Sequence, residues 1–366
     1  MPRLIVSTVG TSLLTNSATN SADKSLLPLL RRTANLRARD LDPADKEQLE
    51  RLIAACRERL ARAGIPEAKR LSAELNGLLA IPDVLEREAF ATDDQHLLIA
   101  TDTAQGAATA EMVREWIEAR DGNAAIASVP DLRTDRLATF RTALSDLTLQ
   151  LLDWTQGKRV LLNLTGGFKS VNAFLQSLAM LQGWESVFLF ENAHELLRIP
   201  RLPVQWDAVA AIAPHLALLR RLKAAESLPV AEVAGLPESL VFTDGEEACL
   251  SAWGTALLAQ ASEKLYRERL QPPAVPELVF ADAFRRDAAQ LGPDDLAKLN
   301  RQLDALARWA ATDGRVNPKS LDVKRLKGNP VPPSTHEADA WTGTGKRLFG
   351  HFEDGKFVID RLGDHL

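Results

Sequence analysis

Short apolar runs that end in polar loops and lead into helical segments recur along the first 200 residues. The apolar runs lie at 4–9, 97–100, 124–129, 159–164 and 187–190. Each has the length and composition of a buried strand, and the segments between them carry apolar residues at helical spacing. Strands that alternate with helices in this way predict an α/β fold with a parallel sheet covered by helices on both faces.

Polar loops follow three of these runs, at 10–12, 101–106 and 163–169. Ligands of parallel sheets bind at the carboxyl ends of the strands, so the loops predict one shared site. Two adjacent glycines, Gly166 and Gly167, would let the backbone approach a ligand, and Lys169 would add a positive charge at a helix start. The alternatives are a tight turn that needs glycine for its geometry alone and, at 10–12, a plain helix cap.

Composition narrows the class of protein. A length of 366 residues predicts two or three domains, and the net charge of −5 argues against binding nucleic acid by overall basicity. The two cysteines, Cys56 and Cys249, form no CxxC pair, so neither a disulfide framework nor a thiolate metal site is expected. No apolar run approaches the length of a membrane span, and we expect a cytoplasmic protein.

The sequence pattern predicts a first domain, a helical insertion within it, a connector and a last domain. A helical insertion is expected at about 31–95, within the first domain at 1–200. A connector at 201–275 contains a helical stretch, a candidate hairpin and a proline-rich linker at 271–276. The last domain, at 276–366, begins with two helical segments and continues into a β-rich region.

The loops of the first domain resemble those of CARF domains, the Rossmann-like sensors associated with CRISPR systems. The resemblance rests on TVGTSL at 8–13, TDT at 101–103 and NxTGGxK at 163–169, and it covers about residues 1–200, from which the helical insertion departs. It implies an α/β Rossmann-like domain that forms a homodimer and binds cyclic oligoadenylate, the messenger of type III CRISPR complexes, as its activator. The residues that would line the pocket are Gly10, Thr11, Ser12, Thr101, Thr103, Asn163, Thr165, Gly166, Gly167 and Lys169.

A hairpin signal at Asp354-Gly355 sets the expected register of the last two strands. The expected pairs are Glu353 with Lys356, His351 with Val358 and Arg347 with Leu362. Arg347, His351 and Asp360 then project from the face opposite the core, and His365 lies near Arg347 at the sheet end. An arginine beside a histidine suits RNA cleavage by 2′-hydroxyl attack, although a frayed terminal His365 and a solvated Arg347 are the plainer alternatives.

This domain also resembles the RelE and YoeB class of toxins, which cut messenger RNA in the ribosomal decoding site without metal. The resemblance rests on VKRLKG at 323–328, KRLF at 346–349, the hairpin and RLGDH at 361–365, and it covers about residues 276–366. It implies a small α+β domain with two helices packed on an antiparallel sheet. The implied catalytic residues are Arg347 as the transition-state arginine, His365 as the terminal general acid or base, His336, Glu337 as a candidate general base, and Lys327. The implied RNA-binding residues are Lys324, Arg325 and Arg361. Many members use a terminal tyrosine, whereas the one tyrosine here is Tyr266.

Together these resemblances predict an endoribonuclease of the mRNA interferase type that is activated by cyclic oligoadenylate and arrests translation. The alternative is a ligand-sensing regulator whose last domain binds nucleic acid or a protein without cleavage. A nucleotide-dependent metabolic enzyme is disfavoured because GxxxxGK[ST] and GxGxxG loops are missing. Residues 276–366 hold 14 basic and 14 acidic side chains, so we expect ribosome engagement through ribosomal protein contacts or a local basic patch.

Overall fold

The computed structural model describes residues 3–87, 89–133, 136–190, 195–203, 206–328, 331–341 and 345–365. The chain divides into two compact units, Met1–Trp206 and Asp207–Leu366. The fold is mixed α/β and the first unit contains a largely parallel sheet, which confirms the fold class expected from the strand and helix pattern. Within the described ranges, none of the helices combines the length and apolar character needed to span a membrane.

The first unit is built on a six-stranded sheet. Its strands are β1 (Arg3–Thr8), β2 (Gln95–Thr101), β3 (Asn123–Val129), β4 (Arg159–Asn163), β5 (Glu185–Phe188) and β6 (Leu197–Ile199). Their order is β3-β2-β1-β4-β5-β6, and only β6 runs antiparallel to its neighbour. The chain winds outward from β1 on one side and then from β4 on the other. The loops after β1 and β4 therefore flank the switch point at which such sheets bind ligands.

Nine described helices accompany this sheet. They are α1 (Ser12–Thr19), α2 (Leu26–Thr33), α3 (Pro43–Arg62), α4 (Ile65–Leu71), α5 (Ala73–Leu78), α6 (Pro82–Arg87), α7 (Ala104–Glu118), α8 (Leu137–Trp154) and α9 (Lys169–Gln182). Helices α2 to α6 lie between β1 and β2, where the helical insertion is expected. The longest, α3, has Pro43 at its first position and is capped by Asp42, whose side chain accepts a hydrogen bond from the Ala44 N–H.

The core of the first unit joins the sheet to the insertion. The central strands are largely apolar and buried because helices cover both faces, and Ile5 and Leu98 are completely buried. Leu49, Cys56 and Leu60 of α3 recur at helical spacing and pack into the same core. The insertion is therefore part of the hydrophobic core, and its helices reach the sheet.

His96 on β2 is buried without a hydrogen-bonding partner. Its ring packs edge-on against Phe90 with 4.9 Å between ring centroids, and among the described residues neither ring nitrogen makes a hydrogen bond. Burial lowers the pKa of His96 to about 4, because the charged imidazolium loses its hydration. The fold accommodates the neutral ring.

This burial predicts acid-sensitive stability. Below pH 6.5 the unfolded chain protonates at His96, whereas the folded chain does so only near pH 4, so stability is lost as the pH falls. We expect His96 to account for a loss of roughly 3 kcal/mol in the free energy of unfolding between pH 6.5 and 4. Urea unfolding at several pH values would measure it, and His96→Leu should flatten the curve in this range. An unchanged pH dependence in His96→Leu would contradict the assignment.

The first part of the second unit is mainly helical. Its helices are α10 (Ala208–Ile212), α11 (Leu216–Ala225), α12 (Val230–Val233) and α13 (Ala252–Glu268), and its strands are β7 (Leu228–Pro229), β8 (Val241–Asp244) and β9 (Glu247–Leu250). The strands form a small sheet in the order β7-β9-β8. Gly245, with a φ of +63°, turns the chain between β8 and β9.

A five-stranded sheet completes the second unit. Its elements are β10 (Leu278–Phe280), α14 (Asp282–Ala288), α15 (Pro293–Ala311), β11 (Lys324–Arg325), β12 (His336–Asp339), β13 (Lys346–Glu353) and β14 (Lys356–Asp364). The order is β10-β14-β13-β12-β11, with β10 parallel to β14 and the other pairs antiparallel. Asp354 and Gly355 both have positive φ angles, as a two-residue hairpin turn requires.

The register of this hairpin differs from the expected one beyond its middle. His351 lies opposite Val358 as predicted, but Phe349 lies opposite Arg361 and Gly350 opposite Ile359. Asp360 is therefore an extra residue, a β-bulge on β14. The predicted pairing of Arg347 with Leu362 is wrong by one residue. Arg347 lies opposite Gly363.

The proline-rich segment at 271–276 is packed inside the second unit. Ala274 and Val275 belong to the same apolar cluster as residues of β10 and α15. Next to them, the Arg220 side chain of α11 is only 1% exposed and donates from Nε to Asp304 Oδ1 on α15 at 2.8 Å. Its Nη1 donates to the Pro272 carbonyl oxygen at 2.6 Å. Residues 207–275 thus contribute core and polar contacts to the unit that contains the five-stranded sheet.

Candidate functional site

The loops after β1 and β4 touch each other at the carboxyl edge of the first sheet. The Thr8 hydroxyl donates a hydrogen bond to the Gly166 carbonyl oxygen at 2.8 Å. Gly167 has a φ of +84°, and a Cβ there would come within 2.5 Å of the Thr8 Cβ. Only glycine fits at this position. Gly167 therefore allows two neighbouring loops to approach each other closely.

A carboxyl group from the helical insertion fills the space between these loops. Glu74 on α5 is completely buried, and its Oε1 accepts a hydrogen bond from the Gly10 N–H at 2.9 Å. Its Oε2 accepts from the hydroxyls of Ser12 at 2.9 Å and Ser72 at 2.7 Å. A Cβ on Gly166 would lie 2.3 Å from Oε1, so the β4 loop wraps the carboxyl closely. Backbone N–H and hydroxyl donors are groups that bind anionic ligands. Here they hold the carboxyl of Glu74, a side chain of the same protein.

Asn163, at the end of β4, also holds helix α5. Its side chain is completely buried, and Nδ2 donates to the Glu74 carbonyl oxygen at 3.0 Å and to Ser7 Oγ at 3.2 Å. A Cβ on Gly77 would fall 2.2 Å from Asn163 Oδ1, so α5 lies directly on this side chain. Four of the residues expected to line a ligand pocket therefore hold helix α5 of the insertion in place. They are Gly10, Ser12, Asn163 and Gly166.

The loop after β2 is likewise bonded internally. Thr101 and Thr103 are buried with their hydroxyls 2.8 Å apart, and Thr103 Oγ1 accepts from the Gly106 N–H at 3.1 Å, which caps α7. Beside it, Arg37 donates from Nε to Asp102 at 2.6 Å and from Nη2 to Asp131 at 2.7 Å. The hydrogen bond with Asp102 raises the pKa of Arg37.

Five of the expected pocket residues reach the surface of this edge. Thr11, Ser12, Thr165 and Gly167 are partly exposed, and Lys169 is exposed at the start of α9. The cavity beneath the edge, between Thr8, Thr101 and their neighbours, has a volume of about 10 Å³. That is about the space of one water molecule. A nucleotide at this edge would lie on its outer surface.

Comparison with known proteins finds a family model that matches part of the first unit. Residues 69–202 match a family model described as CRISPR-associated protein (Cas_APE2256). Over these residues the chain is similar to CRISPR-associated proteins. The matched region contains Glu74 and the loops at 101–106 and 163–169, whereas β1 and the loop at 10–12 precede it. A search of curated proteins finds no match to the chain.

A larger cavity of the first unit lies among α1, α2 and α3. Its volume is about 640 Å³, and its lining is mixed in polarity. Two arginines on its rim, Arg51 and Arg59, are ion-paired with Glu47 and Glu67. No expected ligand residue lines it.

In the second unit, one sheet face brings together charged residues from three neighbouring strands. Lys324 lies opposite Glu337, and Asp339 lies opposite Arg347, so the four side chains share a face. Arg347 Nη1 is 3.2 Å from Asp339 Oδ1, and Lys324 Nζ is 3.8 Å from Glu337 Oε1. We call this the Arg347 face, formed by Lys324, Glu337, Asp339, Arg347, Phe349 and His351 through the alternation of the strands.

The guanidinium of Arg347 retains a donor for another acceptor. Its side chain is 15% exposed, and its buried Nε makes no hydrogen bond within the part of the chain that the structure describes. Lys324 is more exposed, and its hydrogen bond with Asp322 raises the pKa of its amine. Two cations therefore border the buried Glu337 carboxyl, and Lys324 and Arg347 are also paired with Asp322 and Asp339.

His365 lies at the same end of the sheet as Arg347. It directly follows β14, and its N–H donates to the Gly345 carbonyl oxygen at 2.6 Å. Because Gly363 is opposite Arg347, His365 is diagonal to Arg347 at about 7–8 Å between Cα atoms. The structure thus places these two predicted catalytic residues side by side.

His336 and Arg325 lie on the opposite face of the sheet from Arg347. They pair with each other across β11 and β12, one position away from Lys324 and Glu337, and adjacent strand residues project to opposite faces. The His336 ring packs edge-on against Phe352, with 5.4 Å between centroids. Burial, and to a lesser extent Arg325, lowers the pKa of His336. The sheet therefore separates this pair from Arg347.

Two further basic residues flank the face without joining its centre. Lys327 is exposed two residues beyond β11. Arg361 is exposed and donates from Nε to Asp287 of α14 at 2.7 Å. This hydrogen bond raises the pKa of Arg361. To bind RNA as predicted, Arg361 would have to break its hydrogen bond with Asp287 and bind a phosphate instead.

The structure shows a histidine–carboxylate pair on the Arg347 face to which the sequence motifs assign no role. His351 Nδ1 is 2.9 Å from Asp360 Oδ2, and Ser334 Oγ donates to the same oxygen at 2.7 Å. Strand alternation already placed His351 and Asp360 on one face, but the bulge that brings them into contact has no local sequence signal. Within the described residues, no group of three or more His, Cys, Asp or Glu side chains could hold a metal ion.

Proposed function

We propose that this protein is a messenger-activated endoribonuclease of CRISPR immunity. In this proposal, cyclic oligoadenylate binds a homodimer of the first unit, and the second unit then cleaves messenger RNA on the ribosome and arrests translation. The observation that carries the proposal is the CRISPR-associated match over residues 69–202, which contain most of the expected ligand loops. The second unit carries the Arg347 face, which would supply the ribonuclease activity.

The carboxyl edge of the first sheet offers suitable groups for a cyclic oligonucleotide. Lys169 and the start of α9 would bind phosphate, and the hydroxyls of Thr11 and Thr165 would bind ribose or base edges. Because the cavity beneath the edge holds about one water, a second copy of the chain would supply the opposite wall. Leu137 and Phe190, which follow β3 and β5 at this edge, are 64% and 63% exposed and would be covered by such a partner.

The Arg347 face supports RNA cleavage by the neighbouring 2′-hydroxyl. Arg347 would stabilise the charge that develops on the phosphate in the transition state, and Lys324 would position the RNA backbone. Glu337 and His365 border Arg347 and are of the residue types that transfer protons. The RNA supplies its own nucleophile, so these side chains have only to move protons and stabilise charge.

Ribosome engagement is part of the proposal. Residues 276–366 carry 14 basic and 14 acidic side chains, and general attraction to ribosomal RNA would therefore be weak. Contacts with ribosomal proteins, or the exposed basic residues Lys324, Arg325 and Lys327, would direct the second unit to its substrate.

Cleavage in a translation mixture tests the proposal. We expect the wild-type chain to cut a defined messenger RNA only when a cyclic oligoadenylate from a panel of ring sizes is added. Arg347→Ala should lower the cleavage rate about 100-fold because transition-state charge loses its partner. Arg308→Ala, which removes an exposed arginine paired with Glu226, should change the rate less than about twofold. Absent or messenger-independent cleavage would overturn the proposal.

A ligand-sensing regulator that binds RNA or a protein without cutting is the second candidate. The pairing of Arg347 with Asp339 favours it, because that contact partly neutralises the guanidinium in the structure. Messenger-dependent translation arrest that leaves the RNA intact and survives both Arg347→Ala and His365→Ala would support this reading.

A further inference from the structure

We infer that His351 is a catalytic base of the second unit and that Asp360 is the residue that positions it. The inference rests on the RNA cleavage proposed above and assigns the proton transfer to a pair that lies on the Arg347 face. The two side chains come from neighbouring strands, β13 and β14, and meet at a hydrogen-bonding distance of 2.9 Å between Nδ1 and Oδ2.

The contact fixes the orientation of the imidazole. A carboxyl oxygen accepts from Nδ1, so the neutral ring carries its proton there and offers the Nε2 lone pair to a substrate. The His351 side chain is 20% exposed, which leaves the ring accessible from the face while its partner is covered. A histidine held in this way by a carboxylate is the arrangement that activates hydroxyl nucleophiles in many hydrolytic sites.

The carboxyl of Asp360 is itself held in place. Its side chain is 9% exposed, and Oδ2 also accepts a hydrogen bond from the hydroxyl of Ser334, which is completely buried. Asp360 is the additional residue of the β-bulge, and the bulge turns it toward His351 instead of leaving it in the regular ladder. Bulges of this kind often redirect a side chain beside a functional site.

The pair is within reach of the phosphate that Arg347 would hold. Glu337 lies opposite Phe349, so Arg347 and His351 are its two diagonal neighbours, each at about 7–8 Å between Cα atoms. Arg347 and His351 are about 13 Å apart along β13, a span that two long side chains bridge when a nucleotide lies between them. One face therefore presents Arg347 and the oriented imidazole of His351 on either side of Phe349, with the Glu337 carboxyl on the neighbouring strand.

The neighbouring charges on this face come from all four of its strands. They are Lys356, Asp360 and Arg361 on β14, Arg347 and Glu353 on β13 itself, Glu337 and Asp339 on β12, and Lys324 on β11. Asp339 is ion-paired with Arg347, and Lys324 with Asp322 and Glu337. Asp360 is therefore the carboxyl that governs the His351 imidazole by direct contact.

The proton transfers balance with RNA and water alone. His351 Nε2 takes the proton of the 2′-hydroxyl while the 2′-oxygen forms a bond to the adjacent phosphorus. The bond between phosphorus and the 5′-oxygen breaks, and a water molecule protonates the departing oxygen. The imidazolium then returns its proton to the hydroxide that remains. The products are a 2′,3′-cyclic phosphate and a 5′-hydroxyl.

Substitutions at His351 test the assignment in the full chain. The assay is cleavage of the defined messenger RNA in the translation mixture, with the activating cyclic oligoadenylate. His351→Asn keeps an amide donor for Asp360 but carries no titratable group, so we expect a loss of at least about 100-fold at an unchanged melting temperature. Added imidazole should restore part of the rate to His351→Ala. His215→Asn, which removes a histidine outside the five-stranded sheet, should leave the rate within about twofold of wild type.

Asp360→Asn tests the positioning role. We expect a loss of about tenfold or more, and a displacement of the acid limb of the pH–rate profile that His351→Asn lacks altogether. Cleavage by His351→Asn within threefold of wild type would overturn the inference while leaving the proposed function intact. If the wild-type chain cleaves no RNA under any messenger, the proposed function fails, and this inference fails with it.

Discussion

Replacing Glu74 with alanine is expected to destabilise the first unit by about 4 kcal/mol, because two buried donors and the partly buried Ser12 hydroxyl lose their acceptor together. Each buried donor left without a partner costs about 1–3 kcal/mol. The substitution also releases helix α5 from the loops after β1 and β4, since the carboxyl joins the helix to Gly10 and Ser12. The effect should therefore appear both in α5 and in the start of α1.

Hydrogen exchange measured by mass spectrometry would resolve this loss within the first unit. Peptides that contain α5 and the start of α1 should lose protection together in Glu74→Ala. Glu67→Ala, on the neighbouring helix α4, removes a partly exposed partner of Arg59 and should change stability by less than about 1 kcal/mol. Equal protection in the two variants would show that the Glu74 contacts contribute little.

Replacing Asp304 with alanine is expected to destabilise the second unit by about 3–5 kcal/mol. Arg220 is almost completely buried and depends on Asp304 for the partner of its charge. The Tyr266 hydroxyl donates to the other oxygen of the same carboxyl, and burial together with Asp304 raises the pKa of Tyr266. The alanine variant leaves a buried cation without a counter-ion and a phenol without its acceptor.

Replacing both charged partners separates this cost from a simple packing defect. Arg220→Met combined with Asp304→Leu should recover most of the lost stability, because no buried charge remains. Arg301→Ala removes an exposed arginine paired with Glu263 and should cost less than about 1 kcal/mol. Chemical unfolding of the full chain would compare these variants. A double variant as unstable as Asp304→Ala would show that the loss comes from packing or from the Tyr266 hydroxyl left without its acceptor, and not from the buried charge.

Five of the six described strands of the first unit could be predicted from sequence because each is a short apolar run, whereas the three-residue β6 (Leu197–Ile199) was not predicted. The ligand loops were found for the same reason, since they follow those runs directly. Their contacts could not be found in this way. Glu74 is more than 60 residues from Gly10 and Ser12, and no local pattern marks it as their partner. Donors that suggest a phosphate site are therefore occupied by a helix from the insertion.

In the second unit, the sequence predicted only part of the hairpin register between β13 and β14. The hairpin turn at Asp354-Gly355 fixed the first pairs correctly, because two residues with positive φ angles define the register locally. The bulge at Asp360 then displaced every later pair by one position. Backbone bulges depend on cross-strand packing, so alternation alone identified the shared face but missed the contact between His351 and Asp360.

The packing of α11 and α13 against α15 also determines where this chain can be divided and recombined. A graft that begins at residue 276 would carry Asp304 away from Arg220 and expose the apolar side of α15. A graft that begins at Asp207 keeps the ion pair, the buried Ala274 and Val275 and the five-stranded sheet in one piece. The exchangeable cassette is therefore 160 residues long, about 70 residues longer than the segment 276–366.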